Sequence, residues 1–417
     1  MNEPFVSVGI VTAQRIRFVL NTDYVCDGNV LQDRAVEVVT ATPTGICWHG
    51  KVFRELSFVP KEATLASFSL FDVTIGHGFH WERTEMQTFR GELHFILHEG
   101  KICVINRLSL EEYLTCVIAS EMSSSASLEF LKAHAVISRS WLLAQIGNKT
   151  KRTESQSVYR TADRLIKWYD HDDHTLFDVC ADDHCQRYQG IGRVKNRNAY
   201  EAIRQTRGRV LMYDGEICDA RFSKCCGGMM EQFSSCWEDI DKPYLVGKPD
   251  IINDVRAREV DEAFCNTSSP AILSQVLNLY DQETRDFYRW TVRYTRDELS
   301  RMIAEKSGLD FGTVTDLRPV KRGVSGRIVL LEIVGTKLTL TVGKELEIRK
   351  WLSPTHLYSS AFDVECTAEG FVLHGKGWGH GVGLCQIGAA VMGSLGYSYA
   401  EMLEHYYPHS TLTTLYQ

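Results

Sequence analysis

The hydrophobic period of this chain changes at Leu110. Before it, residues 4–105 carry short apolar or alternating runs, such as FVSVGIV and ELHFILHEGKICVI, that are separated by Gly, Asn and Asp. These runs predict β-strands. After it, LEEYLTCVIASEM and SLEFLKAHAVISRSWLLAQI are apolar at helical spacing, and Ser127 is a good N-cap for the second helix. The two periods together predict an α+β fold, with mixed β-sheets and a helical layer.

A chain of 417 residues is too long for one small core, so we expect several lobes, each with its own apolar interior. The strand-rich start and the helices after it set the first boundary. We predict an N-terminal β-rich domain (1–87), a core that carries the helices (88–250), an inserted α+β lobe (251–345), and a C-terminal core segment with a glycine-rich loop and a closing helix (346–417).

Charge and cysteine content exclude several classes of protein. The net charge is −7 and no long basic run occurs, which argues against nucleic acid as a partner and favours a neutral or weakly charged substrate. No stretch reaches the ~18 uncharged apolar residues of a transmembrane helix, and we expect no export signal in the first residues. Thirteen cysteines, an odd number, favour reduced thiols and a metal site in a reducing compartment over a disulfide framework.

Glu121 is the most suggestive carboxylate in the chain. An apolar helical stretch precedes it and a second helix follows, so it falls at a helix–helix junction and is predicted to be partly buried. Burial raises the pKa of a carboxyl group, and a general acid at neutral pH requires a raised pKa. The alternative interpretation is an exposed glutamate at a helix end.

The segment HTLFDVCADDHC, residues 174–185, brings two imidazoles and two thiols together. We predict that His174, Cys180, His184 and Cys185 bind zinc tetrahedrally, with His171 as a spare ligand. The adjacent His184 and Cys185 can share one ion only across a sharply bent backbone. Four protein ligands would close the site and make it structural. Iron in place of zinc stays open, as does a polar loop without a metal.

The segment FSKCCGGMME, residues 222–231, offers Ser223, Cys225 and Cys226 before two glycines. A cysteine nucleophile needs a partner that lowers the pKa of its thiol, and Lys224 or a distant histidine would serve. The alternative is that these small residues line a tight strand end.

The segment GWGHGVGLCQIGA, residues 377–389, has a glycine at every second position from 377 to 383. One side of an extended segment with this pattern carries no side chains, so a ligand or a second strand can approach its backbone. Trp378, His380 and Gln386 would then offer an apolar plate and hydrogen-bonding groups, a combination that suits sugar rings. The alternative is a glycine-rich bulge packed on a helix.

Taken together, these segments resemble the stage II sporulation protein D family (SpoIID/LytB), bacterial cell-wall proteins that include lytic transglycosylases. NRLSLEEYLTCVIASEM and LKAHAVISRSW come first, and HCQRYQG, DARFSKCCGG and PYL follow in the family's order. GWGHGVGLCQIGAAVMGSLGYSYAEMLEHYYPHSTL comes last and is the most specific part. The resemblance covers residues 88–417 and implies a SpoIID-like fold.

The resemblance implies cleavage of peptidoglycan between N-acetylmuramic acid and N-acetylglucosamine, with a 1,6-anhydro product. Most glycosidases need two carboxyl groups. Here the sugar's own 6-hydroxyl attacks, so one residue can act as acid and then as base. The glutamate that matches the family's proposed catalytic residue is Glu121.

The resemblance also assigns further residues. Metal-binding members of the family support zinc at the Cys/His segment. The motifs place a set of polar and aromatic residues around the glycan groove: Arg139, Ser223, Gly227, Trp378, His380 and Gln386. Cys225, Cys226 and Cys385 stand where relatives usually have serine or another small residue, and a thiol weakens the polar contacts there.

Other functions stay open. The family includes amidase enhancers, so the chain could instead be a non-catalytic glycan-binding protein that stimulates a cell-wall amidase. A zinc hydrolase unrelated to glycans would need an open metal position and a carboxylate near the metal-bound water. The family implies a cell-envelope or extracellular location, whereas the first residues as written predict the cytoplasm unless the start is trimmed.

Overall fold

The computed structural model describes residues 2–31, 34–62, 66–76, 82–149, 158–168, 174–182, 184–277 and 286–417. Two compact units make up the chain. The first unit consists of Met1–Arg139, His174–Arg209 and Thr414–Gln417. The second unit consists of Ser140–Asp173 and Val210–Thr413.

Every element in the described part of the chain before Leu110 is a strand, and both helices and strands follow it. The strands are β1 (Phe5–Ala13), β2 (Arg15–Leu20), β3 (Tyr24–Cys26), β4 (Asn29–Leu31), β5 (Glu37–Thr42), β6 (Gly45–Trp48), β7 (Lys51–Phe53), β8 (Glu55–Pro60), β9 (Ser67–Ile75), β10 (Arg83–Arg90), β11 (Glu92–His98), β12 (Lys101–Ser109), β13 (Val158–Arg160), β14 (Arg164–Lys167), β15 (Val179–Cys180), β16 (Arg209–Tyr213), β17 (Glu216–Ile217), β18 (Phe222–Ser223), β19 (Arg289–Thr295), β20 (Val314–Arg322), β21 (Ile328–Gly335), β22 (Thr339–Gly343), β23 (Phe362–Cys366), β24 (Gly370–Lys376), β25 (Leu384–Cys385) and β26 (Thr411–Thr414). The helices are α1 (Leu110–Glu121), α2 (Leu128–Lys149), α3 (Arg197–Gln205), α4 (Phe233–Cys236), α5 (Pro270–Val276), α6 (Arg296–Ser307), α7 (Glu345–Trp351), α8 (Gln386–Ser394) and α9 (Tyr399–Tyr406). This mixture confirms the predicted α+β class.

Two sheets form most of the first unit, in the orders β15–β1–β12–β11–β8–β3–β4 and β10–β9–β2–β5–β6–β7. Aromatic side chains fill the space between them. Phe18 of β2 packs on Phe58 of β8 and on Phe95 of β11, with ring centroids 5.3 and 5.2 Å apart. All three side chains are fully buried. The predicted strand-rich start is therefore a sheet-on-sheet core.

The two predicted helices follow β12. The Ser109 hydroxyl accepts a hydrogen bond from the Glu112 backbone N–H and begins α1, which is buried along nearly its whole length. Ser127 caps α2 through the Phe130 N–H, as its sequence predicts. Glu121 is the last residue of α1, so the predicted helix–helix junction is confirmed.

The second unit is built around the five-stranded sheet β13–β14–β22–β21–β20. Smaller sheets have the orders β17–β16–β26, β18–β25 and β19–β24–β23. Ile303 of α6 and Trp351 of α7 belong to the same buried cluster as Leu331 and Ile333 of β21. The helices thus cover the sheet and give this unit its own core.

Local sequence signals account for a turn and for both ends of a helix in the second unit. Asp214 and Gly215, both at positive φ, connect β16 to β17. Gly308 ends α6 in the left-handed conformation, and Thr295 begins that helix with a capping box. Each of these features depends on only a few neighbouring residues.

The predicted four-part division of the chain stays a prediction. Over the residues that the structure describes, no helix has the length and apolar character required to cross a bilayer.

Candidate functional site

The Glu121 carboxylate is partly buried and is held by backbone. Its Oε1 accepts a hydrogen bond from the Arg187 N–H at 2.9 Å. The preceding residue, Ser120, accepts from the Gln189 N–H at 3.1 Å and donates to the Cys116 carbonyl at 2.7 Å. Two consecutive residues at the end of α1 therefore bind the segment 187–189, and this fixes the orientation of the carboxylate.

Tyr188 anchors the same segment in the core of the first unit. Its ring stacks on Tyr113 of α1 at a centroid distance of 5.1 Å, and its hydroxyl donates to the Asn106 Oδ1 at 2.6 Å. Burial raises the pKa of each of the two tyrosines well above the ordinary value for a tyrosine, so both hydroxyls stay neutral. The backbone donor to Glu121 is thus flanked by a fully buried aromatic contact.

The predicted cysteine–histidine cluster is assembled. The ligand atoms of His174, Cys180, His184 and Cys185 all lie within 4.8 Å of one another. The Cys185 Sγ is 3.4 Å from the His174 Nε2 and 3.6 Å from the His184 Nδ1. Sulfur and nitrogen ligands on one tetrahedral zinc ion lie about 3.6 Å apart. The residues therefore fit a single closed ion site.

The local backbone explains how these four residues meet. The Cys185 N–H donates to the Asp182 carbonyl at 3.1 Å, which supplies the bend predicted for His184 and Cys185. A hydrogen bond with Cys185, followed by those with His174 and His184, lowers the pKa of the Cys180 thiol to about 2 against the effect of burial. A thiolate is the form that binds metal ions.

Strand β15 positions Cys180 at the edge of a sheet. It pairs in parallel with β1, with Cys180 opposite Gly9. A Cβ at Gly9 would lie 2.4 Å from the Phe177 ring, so glycine is required there. The Phe177 ring packs on His174 at 4.6 Å. His171, the spare ligand, lies outside the described residues.

Arg139 lies in a closed polar network of the first unit. Its guanidinium is fully buried and donates to the Glu111 carboxylate at 2.6 and 3.0 Å and to the Arg209 carbonyl at 2.9 Å. The same carboxylate accepts from the Tyr416 hydroxyl and from the Gly208 N–H. This geometry favours a structural role, and the predicted contact of Arg139 with glycan stays a prediction.

The glycine loop, defined here as residues 377–383, lies in the second unit. Its four glycines have φ values between 69° and 89°, in the left-handed region that glycine adopts without strain. Trp378 and Cys225 exchange two backbone hydrogen bonds, of 2.8 and 3.0 Å. A Cβ at Gly227 would lie 2.8 Å from the Gly377 nitrogen. A second segment of the chain thus approaches this backbone, and positive φ values, rather than one bare side of an extended strand, explain the alternation.

A buried arginine that sequence reasoning missed fills the glycine loop. Arg327 donates two hydrogen bonds to the Gly379 carbonyl, at 3.0 and 3.1 Å, and one to the Cys226 carbonyl at 3.2 Å. It also donates to Ser325, whose hydroxyl donates in turn to the buried Glu231 carboxylate at 2.7 Å. No local motif marks Arg327, because its partners are distant in sequence.

The remaining predicted residues of the second unit hold the loop together. Ser223 accepts a hydrogen bond from the Gly381 N–H at 3.2 Å, and the His380 Nδ1 accepts from the Val382 N–H at 3.0 Å. Burial, with Arg221 and Arg327 nearby, lowers the pKa of His380 well below its ordinary value, so its ring is neutral. The predicted roles of Ser223, Gly227, Trp378, His380 and Gln386 in glycan binding stay predictions.

Trp378 packs between two aromatic rings, those of Phe287 and Tyr358, at centroid distances of 4.8 and 4.7 Å. Gln386 is buried as the first residue of α8. The hypothesis of a cysteine nucleophile is disfavoured, because burial raises the pKa of Cys225 and of Cys226 well above the ordinary value for a thiol. Instead, Cys226 belongs to a second buried cluster with Asp250, Cys265 and Cys385, which sequence reasoning missed.

The substitution Glu111→Gln is expected to lower the free energy of unfolding by about 3–5 kcal/mol, because it leaves the buried Arg139 guanidinium without its counter-charge. Urea denaturation followed by circular dichroism measures this. The matched control is Glu112→Gln, the next residue, whose side chain is 36% exposed and should lose only about 1 kcal/mol or less. Equal losses in the two variants would contradict the network described for Arg139.

The substitution Gly381→Ala should destabilise the second unit far more than Gly396→Ala. Both glycines have positive φ, which costs alanine about 1–2 kcal/mol. A Cβ at Gly381 would lie 2.4 Å from the Arg327 guanidinium, whereas a Cβ at Gly396 meets open space. Comparison of the two melting temperatures separates the effect of the clash from that of φ. A similar melting temperature for both variants would contradict the tight fit of Arg327.

Two family models match parts of this chain. Residues 98–213 match the model of the Stage II sporulation protein family, and this span contains Glu121 and the cysteine–histidine cluster. Residues 231–383 match a domain of unknown function (DUF8618).

Several individual proteins are also similar along most of the chain. An uncharacterized protein of Brachyspira hyodysenteriae is 27% identical over 76% of this chain and 70% of its own length. An amidase enhancer of Bacillus subtilis is 25% identical over 72% of this chain but only 40% of its own length. Stage II sporulation protein D of Bacillus amyloliquefaciens is 22% identical, over 73% and 74% respectively. The family model over residues 98–213 and these relatives show that the chain is similar to proteins of the SpoIID/LytB family.

Proposed function

We propose that this chain is a peptidoglycan lytic transglycosylase in which Glu121 is the general acid and base. Similarity to the SpoIID/LytB family supports a role related to the cell wall. The observation that carries the proposal is the carboxylate of Glu121 at the end of α1, partly buried and oriented by the Arg187 N–H. This residue also lies in the span that matches the family model.

The reaction needs one carboxyl group in two successive states. Glu121 first donates its proton to the glycosidic oxygen while the bond from that oxygen to C1 of N-acetylmuramic acid breaks. The 6-hydroxyl of the same sugar then forms a bond to C1, and its proton passes to the Glu121 carboxylate. Glu121 thus ends in the protonated state in which it began. The reaction needs no second carboxylate and consumes no water. A fixed orientation of the carboxylate favours both transfers, because each requires hydrogen-bond distance to the reacting oxygen.

We propose that His174, Cys180, His184 and Cys185 hold a structural zinc ion beside this carboxylate. Two imidazoles and two thiols are a donor set that zinc prefers, and four protein ligands complete its tetrahedron. Cys185 lies two residues before Arg187, whose N–H holds Glu121. The ion would therefore fix the segment that orients the acid. A closed tetrahedron also argues against the zinc-hydrolase alternative, which needs an open position.

The second candidate is a glycan-binding protein that stimulates a cell-wall amidase. It is supported by the 25% identity to a relative named amidase enhancer. In that case the Glu121 carboxylate would stabilise the junction of α1 with the segment 187–189 and would take no part in bond cleavage.

The substitution Glu121→Gln should reduce the rate of 1,6-anhydro product formation by about 10²-fold or more, since an amide cannot donate or accept the proton. Purified protein is incubated with peptidoglycan glycan strands, with and without stem peptides, and anhydro ends are measured by mass spectrometry. The matched control is Glu99→Gln, a glutamate whose side chain is 85% exposed. It should leave the rate unchanged.

Two results would overturn the transglycosylase. One is undiminished product from Glu121→Gln at an unchanged melting temperature. The other is the absence of product from the wild type while it still binds strands. Stimulation of an added amidase by both the wild type and the Glu121→Gln variant would then support the second candidate.

The substitution Cys185→Ser should lower both the zinc content and the rate of anhydro product formation, the rate by about 10- to 100-fold, because the segment that positions Glu121 loosens. Zinc is measured by mass spectrometry of the purified protein, and the rate with the glycan assay. Cys47→Ser is the control, because Cys47 is also partly buried but lies in neither cluster. Loss of zinc with a normal rate would show that the cluster does not position Glu121.

A further inference from the structure

The second unit contains a group of sulfur and oxygen ligands that the proposed reaction does not use. Cys226, Asp250, Cys265 and Cys385 each expose at most 1% of their surface, and their ligand atoms all lie within 4.8 Å of one another. The four residues come from separate segments: the stretch after β18, the loop at 250, the residues before α5, and the end of β25. Their convergence is therefore a product of the tertiary fold.

The distances within this group fit one tetrahedral ion. The Cys226 Sγ is 3.3 Å from the Asp250 Oδ2 and 3.5 Å from the Cys265 Sγ. Thiolate and carboxylate ligands on one zinc ion lie about 3.6–3.8 Å apart. An iron–sulfur cluster that places each thiolate on a different iron would need ligands spread more widely than 4.8 Å. The separation of the two sulfurs also excludes a disulfide bond between them in this conformation.

The Asp250 carboxylate is oriented as a ligand with one oxygen. Its Oδ1 accepts a hydrogen bond from the Tyr406 hydroxyl at 2.8 Å and lies 3.4 Å from the His405 Nε2. Its Oδ2 faces the thiol of Cys226. Hydrogen bonds to the outer oxygen of a carboxylate are the support that metal ligands receive from neighbouring residues. The Cys226 N–H in turn points at the Cys385 Sγ, at 3.3 Å.

Charge points in the same direction. Three thiols and a carboxylate are packed out of contact with water, and a buried acidic group is costly without a compensating charge. Among the described residues, the ion pair of Asp250 is with the buried His405, at 3.4 Å, and this histidine carries a positive charge only when it is protonated. A divalent cation among the four ligands would supply the positive charge.

We propose that Cys226, Asp250, Cys265 and Cys385 bind a structural Zn²⁺ ion in the second unit. Zinc accepts sulfur and oxygen ligands together and is satisfied by four of them. The ion would join four segments that are far apart in sequence and would hold residues 225–228 against the glycine loop. This site is separate from the cysteine–histidine cluster, and it does not depend on the proposed enzymatic activity.

The test counts zinc ions in the full chain, produced in zinc-supplemented medium and purified without chelators. The chain with Cys180→Ser and Cys185→Ser lacks the first cluster and should retain about one zinc ion at the second. The chain with Cys226→Ser and Cys385→Ser should lose about one ion relative to the wild type. The matched control, Cys236→Ser, removes a buried thiol outside both clusters and should lose none.

A second measurement covers the case in which the Cys226/Cys385 variant does not fold. Cobalt(II) is added to the metal-free chain that carries Cys180→Ser and Cys185→Ser. Thiolate-to-cobalt charge-transfer absorption and tetrahedral ligand-field bands are expected. Absence of both zinc and cobalt from this chain would overturn the proposal. So would iron in place of zinc in the freshly purified protein, or a disulfide among the four residues shown by alkylation and mass spectrometry.

Discussion

The hydrogen bond from the Arg187 backbone to the Glu121 carboxylate is the contact on which the candidate site depends. Its donor lies in a segment where three successive residues each have a different anchor. Arg187 holds Glu121, Tyr188 is buried against Tyr113, and Gln189 binds Ser120. A hydrogen bond from a fixed donor reduces the number of rotamers that a side chain at the end of a helix can adopt. The buried tyrosine makes the backbone donor rigid, and the rigid donor fixes the acid.

In the second unit, the glycine loop is stabilised by a buried arginine that donates hydrogen bonds to backbone carbonyls. Arg327 is fully buried, and its hydrogen bonds go mainly to the carbonyls of Gly379 and Cys226. Carbonyl oxygens can approach the guanidinium from within the loop because its glycines have no side chains, and a Cβ at Gly381 would clash with it. The conformation of the glycine loop therefore allows its backbone to bind Arg327, a side chain of the same protein. This reason for the glycines holds whether or not a sugar binds outside.

The sequence was sufficient wherever neighbouring residues carry the signal. The junction at Glu121 and the Ser127 cap of α2 each involve a few consecutive residues, and both are confirmed. The cysteine–histidine cluster lies within one short segment, so its assembly was also predictable. Arg327 was not, because its carbonyl partners are 52 and 101 residues away. The alternation of glycines predicts one bare face of an extended strand, but positive φ values at the same positions give the same spacing in sequence.

The cysteines of the second unit show why the number and spacing of cysteines in a sequence are not sufficient to predict a metal site. Cys226 and Cys385 are 159 residues apart, and no spacing rule connects them. Taken alone, each of the three buried thiols would contribute little to stability through its sulfur. Asp250 alone would lower stability, because a carboxylate is costly to bury in an apolar interior. A benefit would arise only when all four meet, since a bound zinc ion would need each of them to complete its tetrahedron. A cluster of this kind is therefore visible only after the fold has brought its segments together, and the outer hydrogen bond from Tyr406 to Asp250 distinguishes it from a chance grouping of thiols.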